Sequence, residues 1–249
     1  MSGHSKWSTI KRKKGAEDAK RGKIFTKLGR NITIAARAGG GDSDMNPTLR
    51  MAIDTAKAAN MPKDNIARAI KRGTGELGGG ELVEITYEGY APHGVAMLMK
   101  CLTDNKNRAL SEVRRIFNKG GGNLAEAGAV AWMFDLKGYL TVSPGDMDSD
   151  DVFMLAVEAG ADDVEISDDA IEVYTAPADL HAVREALEAE GLKIEDAELA
   201  QFAKNEIELG VKDTLSILNL VELLEDLDDV DKIFSNLAIS DEALAQLGA

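Results

Sequence analysis

The sequence predicts an α+β fold, with a helical N-terminal domain and two ferredoxin-like α/β domains, the third inserted into the second. Three observations predict it. Apolar residues recur at spacings of three and four as far as Gly73, and past Gly78-Gly79-Gly80 the spacing changes to two. The stretch from Gly138 to Phe202 runs strand-helix-strand twice, the order of a split βαβ unit. The residues after it offer only strand, helix and strand, too few for a stable sheet of their own, and they complete the earlier segment from Leu82 to Phe134. The boundaries that follow are 1–77 for a basic arm and helical bundle, 78–135 with 204–249 for a discontinuous α/β domain, and 136–203 for the inserted domain.

In chain order, Ile24, Leu28, Ile32 and Ala35 form the apolar stripe of a first helix, which stops before Gly39-Gly40-Gly41. Asn46 before Pro47 is an N-cap ahead of a proline at the first helical position, and Leu49, Ala52, Ile53 and Ala56 are that helix's buried face. Pro62 opens a third helix with Ile66, Ala69 and Ile70 apolar and Gly73 as its stop. Glu81 to Tyr90 alternates, setting Leu82, Glu84, Thr86 and Glu88 against Val83, Ile85 and Tyr87. After the turn Ala91-Pro92-His93-Gly94 comes a strand buried on both faces, Val95 to Leu102. Asp104 or Asn105 caps a helix with Leu110, Val113, Ile116 and Phe117 inward, and Val130 to Phe134 reads as a further strand.

Within the insertion, strands are expected at Tyr139 to Val142, Val164 to Ile166, Ile171 to Tyr174 and Ile194 to Phe202. Its helices are marked by Val152, Leu155, Ala156 and Ala159, and by Val183, Ala186 and Leu187, each closed by a glycine, Gly160 and Gly191. The tail holds a strand at Glu206 to Leu209, a helix from Asp213 with Leu215, Leu218, Val221 and Leu224 inward, and a strand near Ile233 to Leu237.

The composition is globular, with 249 residues and 44% hydrophobic. Cys101 is the single cysteine, so no disulfide framework or thiolate zinc site is available, and His4, His93 and His181 show no metal-ligand spacing. No cofactor or metal is expected. No run approaches the length of a membrane span and the basic N-terminus leads into no signal-peptide core, so the expected location is cytoplasmic. The net charge of −14 conceals a polarity: residues 1–75 carry 17 Lys and Arg against 6 Asp and Glu, residues 76–119 are balanced, and residues 120–249 carry 6 against 31.

The positive charge is densest in the arm, where residues 1–30 hold ten Lys and Arg against two acids and almost no core-forming residue before Ile24. Such a segment suits phosphate-backbone contact, because each neutralised phosphate releases condensed counterions. The candidate contact residues there are Lys6, Trp7, Lys11, Arg12, Lys13, Lys14, Lys20, Arg21, Lys23 and Lys27, with Trp7 and Phe25 able to stack on a base or seal the arm to the helices. The competing reading is a solvated basic tail that folds back onto the acidic half. Lys106 and Arg108 add a second candidate, a phosphate seat at a helix N-terminus, against ordinary capping by Asp104 or Asn105. Arg114, Arg115 and Lys119 extend that strip or form its solvent face. The glycine triplets lack the Gly-Lys-Ser/Thr of a nucleotide loop, and the acidic clusters read as caps and solvated faces. No nucleophile–base constellation stands behind an enzyme reading, and the protein is not expected to be an enzyme.

The motifs Gly3-His4-Ser5-Lys6-Trp7, Asp18 to Lys27, Tyr87-Glu88-Gly89-Tyr90, Asp104 to Arg108 and Gly121-Gly122-Asn123-Leu124 together resemble the YebC/PmpR family, over essentially the whole chain. The resemblance implies three domains and, for bacterial members, a cytoplasmic DNA-binding transcriptional regulator. Related members, among them a mitochondrial translational activator, associate with the ribosome and relieve stalling at proline-rich stretches, which implies ribosomal RNA as the alternative partner. No segment presents the Arg, Asn and Gln set of a base-reading recognition helix, so backbone or shape recognition is the better-supported mode. A monomer, with the ribosome or transcription machinery as protein partner and no membrane, is the expectation.

Overall fold

The first helix, α1 (Asp18–Gly39), closes at Gly40, whose φ of +87° is the left-handed conformation that suits glycine. In this computed structural model the described residues are 18–78, 80–143, 145, 147–167 and 170–247, with the side chains of residues 18–21 and 247 left aside. Helix α2 (Pro47–Ala58) starts at the anticipated cap: the Asn46 side chain accepts from the Leu49 N–H at 3.0 Å. The same side chain donates to the carbonyls of Ala35 and Gly40, 2.9 Å each, so one asparagine also holds the end of α1. Helix α3 (Lys63–Gly73) follows Pro62. Ile32, Ala35, Leu49, Ala56, Ile66 and Ala69 form the buried centre of these three helices, as their spacing predicts. Ile24, placed in the stripe by spacing, is instead exposed, one turn short of the helix crossing.

Strands β1 (Val83–Tyr90) and β2 (Ala96–Thr103) form an antiparallel hairpin through a turn in which His93 has a φ of +64°. Helix α4 (Lys106–Lys119) then leads to the edge strand β3 (Asn123–Ala125). After the insertion come β8 (Ile207–Glu208), α7 (Val211–Glu225), β9 (Val230–Ser235), β10 (Leu237–Ala238) and α8 (Asp241–Leu247). The sheet order is β3-β1-β2-β9, and β8 pairs with β10 in a small parallel sheet. Met97, Met99, Val113, Phe117, Ile217 and Leu220 belong to the shared core of β2, α4 and α7. Cys101 is buried in it, and burial together with Asp229 and Asp231 pushes its thiol up to about 12, which leaves it unreactive.

One element differs in kind from the expectation. Residues Ala131–Met133 are a 3-10 turn rather than a strand, and β3 supplies the sheet edge. The cause is Glu88. Its carboxylate accepts backbone N–H groups from Gly128 at 2.6 Å and from Val130 and Ala131 at 2.8 Å each, which directs those donors at a side chain instead of a neighbouring strand. Glu88 is thereby buried, 7% exposed. Burial favours its neutral form, yet the three N–H donors hold its carboxyl below the usual carboxylate range.

The described chain separates into two compact units, one of them Phe134–Phe202. That unit contains β4 (Phe134–Ser143), α5 (Ser149–Glu158), β5 (Asp163–Ile166), β6 (Ile171–Thr175), α6 (Leu180–Ala189) and β7 (Lys193–Ala203), in sheet order β5-β6-β4-β7. This is the βαββαβ arrangement, with β4 starting five residues before the predicted Tyr139. Gly138 lets β4 meet α6, since a Cβ there would lie 2.8 Å from the Leu180 Cβ. Within the unit Glu172, 2% exposed, accepts from the hydroxyls of Tyr139 at 2.9 Å and Tyr174 at 3.1 Å. The rings of Tyr139, Tyr174 and Phe202 lie 5.1 to 5.7 Å apart around it.

Candidate nucleic-acid interface

Lys23, Lys27, Arg30 and Asn31 lie at spacings of four, three and one, so they share one face of α1. That face meets the C-terminal end of α7, in the same compact unit. The last carbonyls of a helix have no intrahelical partner and carry the negative end of its dipole, so cations are favoured there. Lys27 Nζ donates to the Glu225 carbonyl at 2.6 Å, and Lys23 Nζ donates to the Asp226 carbonyl at 3.2 Å with the Asp226 carboxylate 3.7 Å away. Asn31 donates to the Asp231 carboxylate at 2.9 Å. The sequence reading places Lys23 and Lys27 on nucleic acid. In the structure both side chains contact the segment at the end of α7, with Lys23 still 49% exposed.

The centre of this contact is Asp229, whose side chain is 2% exposed. It faces Arg30 Nη1 at 3.0 Å, accepts Arg108 Nε and Nη2 at 3.0 and 2.9 Å, and accepts the Thr103 hydroxyl at 3.0 Å. Burial pushes its carboxyl up, but the hydrogen bonds from Arg108 and Thr103 and the charges of Arg30 and Arg108 outweigh that and hold it below its ordinary value. Arg30 further donates to the carbonyls of Leu102 and Asp228. Arg108 Nη2 also donates to Asp104 at 2.8 Å, so Nε and Nη2 are bound within the chain while the side chain stays 42% exposed, and its pKa is raised first by the bond to Asp229.

At Thr103 to Arg108, the expected phosphate seat, the structure shows a set of contacts within the chain. Asn105 accepts the Arg108 N–H at 3.1 Å, which is the capping alternative, and the Arg108 side chain bonds the carboxylates of Asp104 and Asp229. Lys106 is exposed, and its carbonyl accepts the Tyr87 hydroxyl at 3.1 Å. Arg114, Arg115 and Lys119 are exposed on α4.

Open positive charge lies on α3, which the spacing of apolar residues did not single out. Arg68 and Arg72 are exposed, one turn apart, and neither side chain makes a hydrogen bond or ion pair among the described residues. They line a groove of about 590 Å³ formed mainly by α1 and α3, which Phe25, Gly29, Arg30 and Met61 also line, together with Leu82 and Asp104. The signal in the sequence was present: beyond Asp64, the charged residues of α3 are Arg68, Lys71 and Arg72. Gly73 makes this helix pair close, because a Cβ there would stand 2.5 Å from the Thr33 carbonyl oxygen and 2.7 Å from the Ala36 Cβ.

Lys6, Trp7, Lys11, Arg12, Lys13 and Lys14 lie outside the described residues. Lys20 and Arg21 sit in the first turns of α1, with their side chains left aside. Among the described residues no group of three or more His, Cys, Asp or Glu is placed to hold a metal ion, and no helix is long and apolar enough to cross a membrane.

Comparison with known proteins adds a consistent picture. Residues 5–76 match the family model of the TACO1/YebC protein N-terminal domain, and residues 82–237 match that of the TACO1/YebC second and third domain. A probable transcriptional regulatory protein of Desulforapulum autotrophicum is 55% identical over 242 residues, 97% of this chain and 98% of the relative. Another so named, from Acidithiobacillus ferrooxidans, is 55% identical over 249 residues, covering 100% of this chain and 99% of the relative. The crystal structure of a conserved hypothetical protein from Aquifex aeolicus superposes with a TM-score of 0.84 at 43% identity, over 91% of this chain and 94% of the other.

Proposed function

The chain belongs to the TACO1/YebC family, and from that premise we propose that it is a cytoplasmic, nucleic-acid-binding transcriptional regulator that contacts DNA mainly through phosphate. It works by binding rather than by catalysis. The relatives' names support the regulatory part. The observation that carries the binding part is the division of charge. The acidic stretch from Glu225 to Asp231 is matched by Lys23, Lys27, Arg30 and Arg108 within the chain, while Arg68 and Arg72 on α3 stay open, and residues 1–30 of the sequence are strongly basic. The head is thus drawn to phosphate, and the acidic remainder, net −25 over residues 120–249, is held away from it.

The test is a competition at fixed physiological salt between a candidate promoter and random duplex. An affinity gap for the promoter supports a regulator of transcription, and equal affinities overturn it. Contact with about five phosphates gives a log-log salt slope near −4 on duplex DNA. A second reading, a ribosome-associated translation factor that grips ribosomal RNA and relieves stalling at proline-rich stretches, draws on the groove between α1 and α3, whose size suits an unpaired strand better than a duplex. Cosedimentation with ribosomes that is lost on reversing the charges of Arg68 and Arg72 favours it; unchanged cosedimentation counts against it.

A further inference from the structure

The groove between α1 and α3 has a feature that simple backbone contact does not require. Gly22 and Gly29, seven residues apart and so on one side of α1, both line it. Among the described residues, a Cβ at Gly22 would meet nothing within 4 Å, and one at Gly29 only the tip of Met61 at 3.7 Å. Glycine inside a helix costs about 1 kcal/mol relative to alanine. Gly73 has a neighbour that forbids a side chain; Gly22 and Gly29 have none. Phe25 of α1 and Arg68 and Arg72 of α3 line the same groove as the two glycines.

We propose that this groove binds a short run of single-stranded nucleic acid, Arg68 and Arg72 taking consecutive phosphates and a base lying on the glycine-bare face of α1 beside Phe25. The inference rests on the nucleic-acid reading above and names the form of nucleic acid the site selects. Four helical residues advance about 6 Å, which matches neighbouring phosphates along one extended strand. Guanidinium groups present planar forks suited to phosphate oxygens, and an aromatic face beside a helix backbone accepts any unpaired base. A volume of about 590 Å³ falls in the range that small ligands fill, enough for a nucleotide unit. A duplex keeps its bases stacked inside and could offer this groove only its rim.

The experiment uses the full chain and fluorescence anisotropy with three probes at one salt concentration: a short oligouridylate, the oligodeoxythymidylate of equal length, and a duplex of equal length. Gly22→Leu fills the groove where no neighbour stands in the way, and it is expected to weaken both single strands about tenfold or more while leaving duplex affinity and melting temperature unchanged or the latter raised. The double variant Arg68→Ala/Arg72→Ala is expected to reduce the single-strand salt slope by about 1.4. Should Gly22→Leu melt early, the double variant on the exposed face of α3 carries the test. Preference for oligouridylate assigns a contact to the 2′-hydroxyl; equal affinity for the two strands assigns phosphate and stacking alone. Variants that bind single strands like the parent, or that lose duplex and single strand equally, overturn the groove while leaving the nucleic-acid reading standing. A parent chain that binds none of the three probes overturns both.

Discussion

Arg30 of α1 and Asp229 at the start of β9 face each other at 3.0 Å, joining the helical head to the α/β sheet across almost the whole sequence. Asp229 is the buried partner, and Arg108 and Thr103 complete its shell. Asp229→Ala is expected to cost about 3 kcal/mol, because it removes one side of a largely buried ionic cluster. Arg30→Ala is expected to cost less, since Arg108 and Thr103 remain on the carboxylate. Chemical denaturation of the full chain, followed by a probe in the head and a probe in the sheet, measures both. Equal stability of Asp229→Ala and the parent would refute the junction.

The same carboxylate sets a pH dependence. Its folded pKa lies below the unfolded one, so its contribution is complete above the ordinary carboxylate value and is lost as pH falls through the lowered folded value. Melting curves of Asp229→Asn are expected to show a shallower loss of stability on acidification than those of the parent.

Glu88 makes a separate prediction. Truncation to alanine would leave the N–H groups of Gly128, Val130 and Ala131 without their acceptor, two of them in a part-buried setting. A loss of about 3 kcal/mol is expected. Hydrogen exchange localises the effect: faster exchange at residues 128–131 with β2 unchanged is the expected pattern. A uniform change across the sheet would contradict it.

Lys23 and Lys27 distinguish fold from binding. Because they serve the end of α7, replacing both with alanine is expected to lower stability by about 1 kcal/mol and to change the salt slope of nucleic-acid binding little. A full loss of two phosphate contacts on that variant would return these lysines to the interface.

Gly73→Ala tests the α1–α3 approach. The added Cβ would press on the backbone oxygen of Thr33, which cannot swing aside. Overpacking of this kind costs about 1–3 kcal/mol, and a thermal melt reads it. Any widening of the groove also weakens single-strand binding without altering Arg68 or Arg72.

Periodicity made most of the elements legible before any coordinates. The apolar spacing marked α1 to α3, the alternation marked β1, and Asn46 and Asn105 stood at their caps because a short side-chain oxygen before a helix has a local partner three residues on. Tail and insertion also followed their patterns. Val130 to Phe134 failed for a reason no local pattern carries: its donors are taken by Glu88, some forty residues earlier.

The candidate site was less legible. The charge split between a basic head and an acidic remainder was fixed by composition, since it is a property of residues and needs no fold. Which cations remain open was decided by tertiary structure alone, because a carboxylate or a helix end that neutralises Lys23, Lys27 or Arg108 lies roughly two hundred or one hundred residues away in the chain. Electrostatic pairing depends on distance in space, and only the packing of α1 against the end of α7 brings those groups within reach while leaving Arg68 and Arg72 facing an open groove.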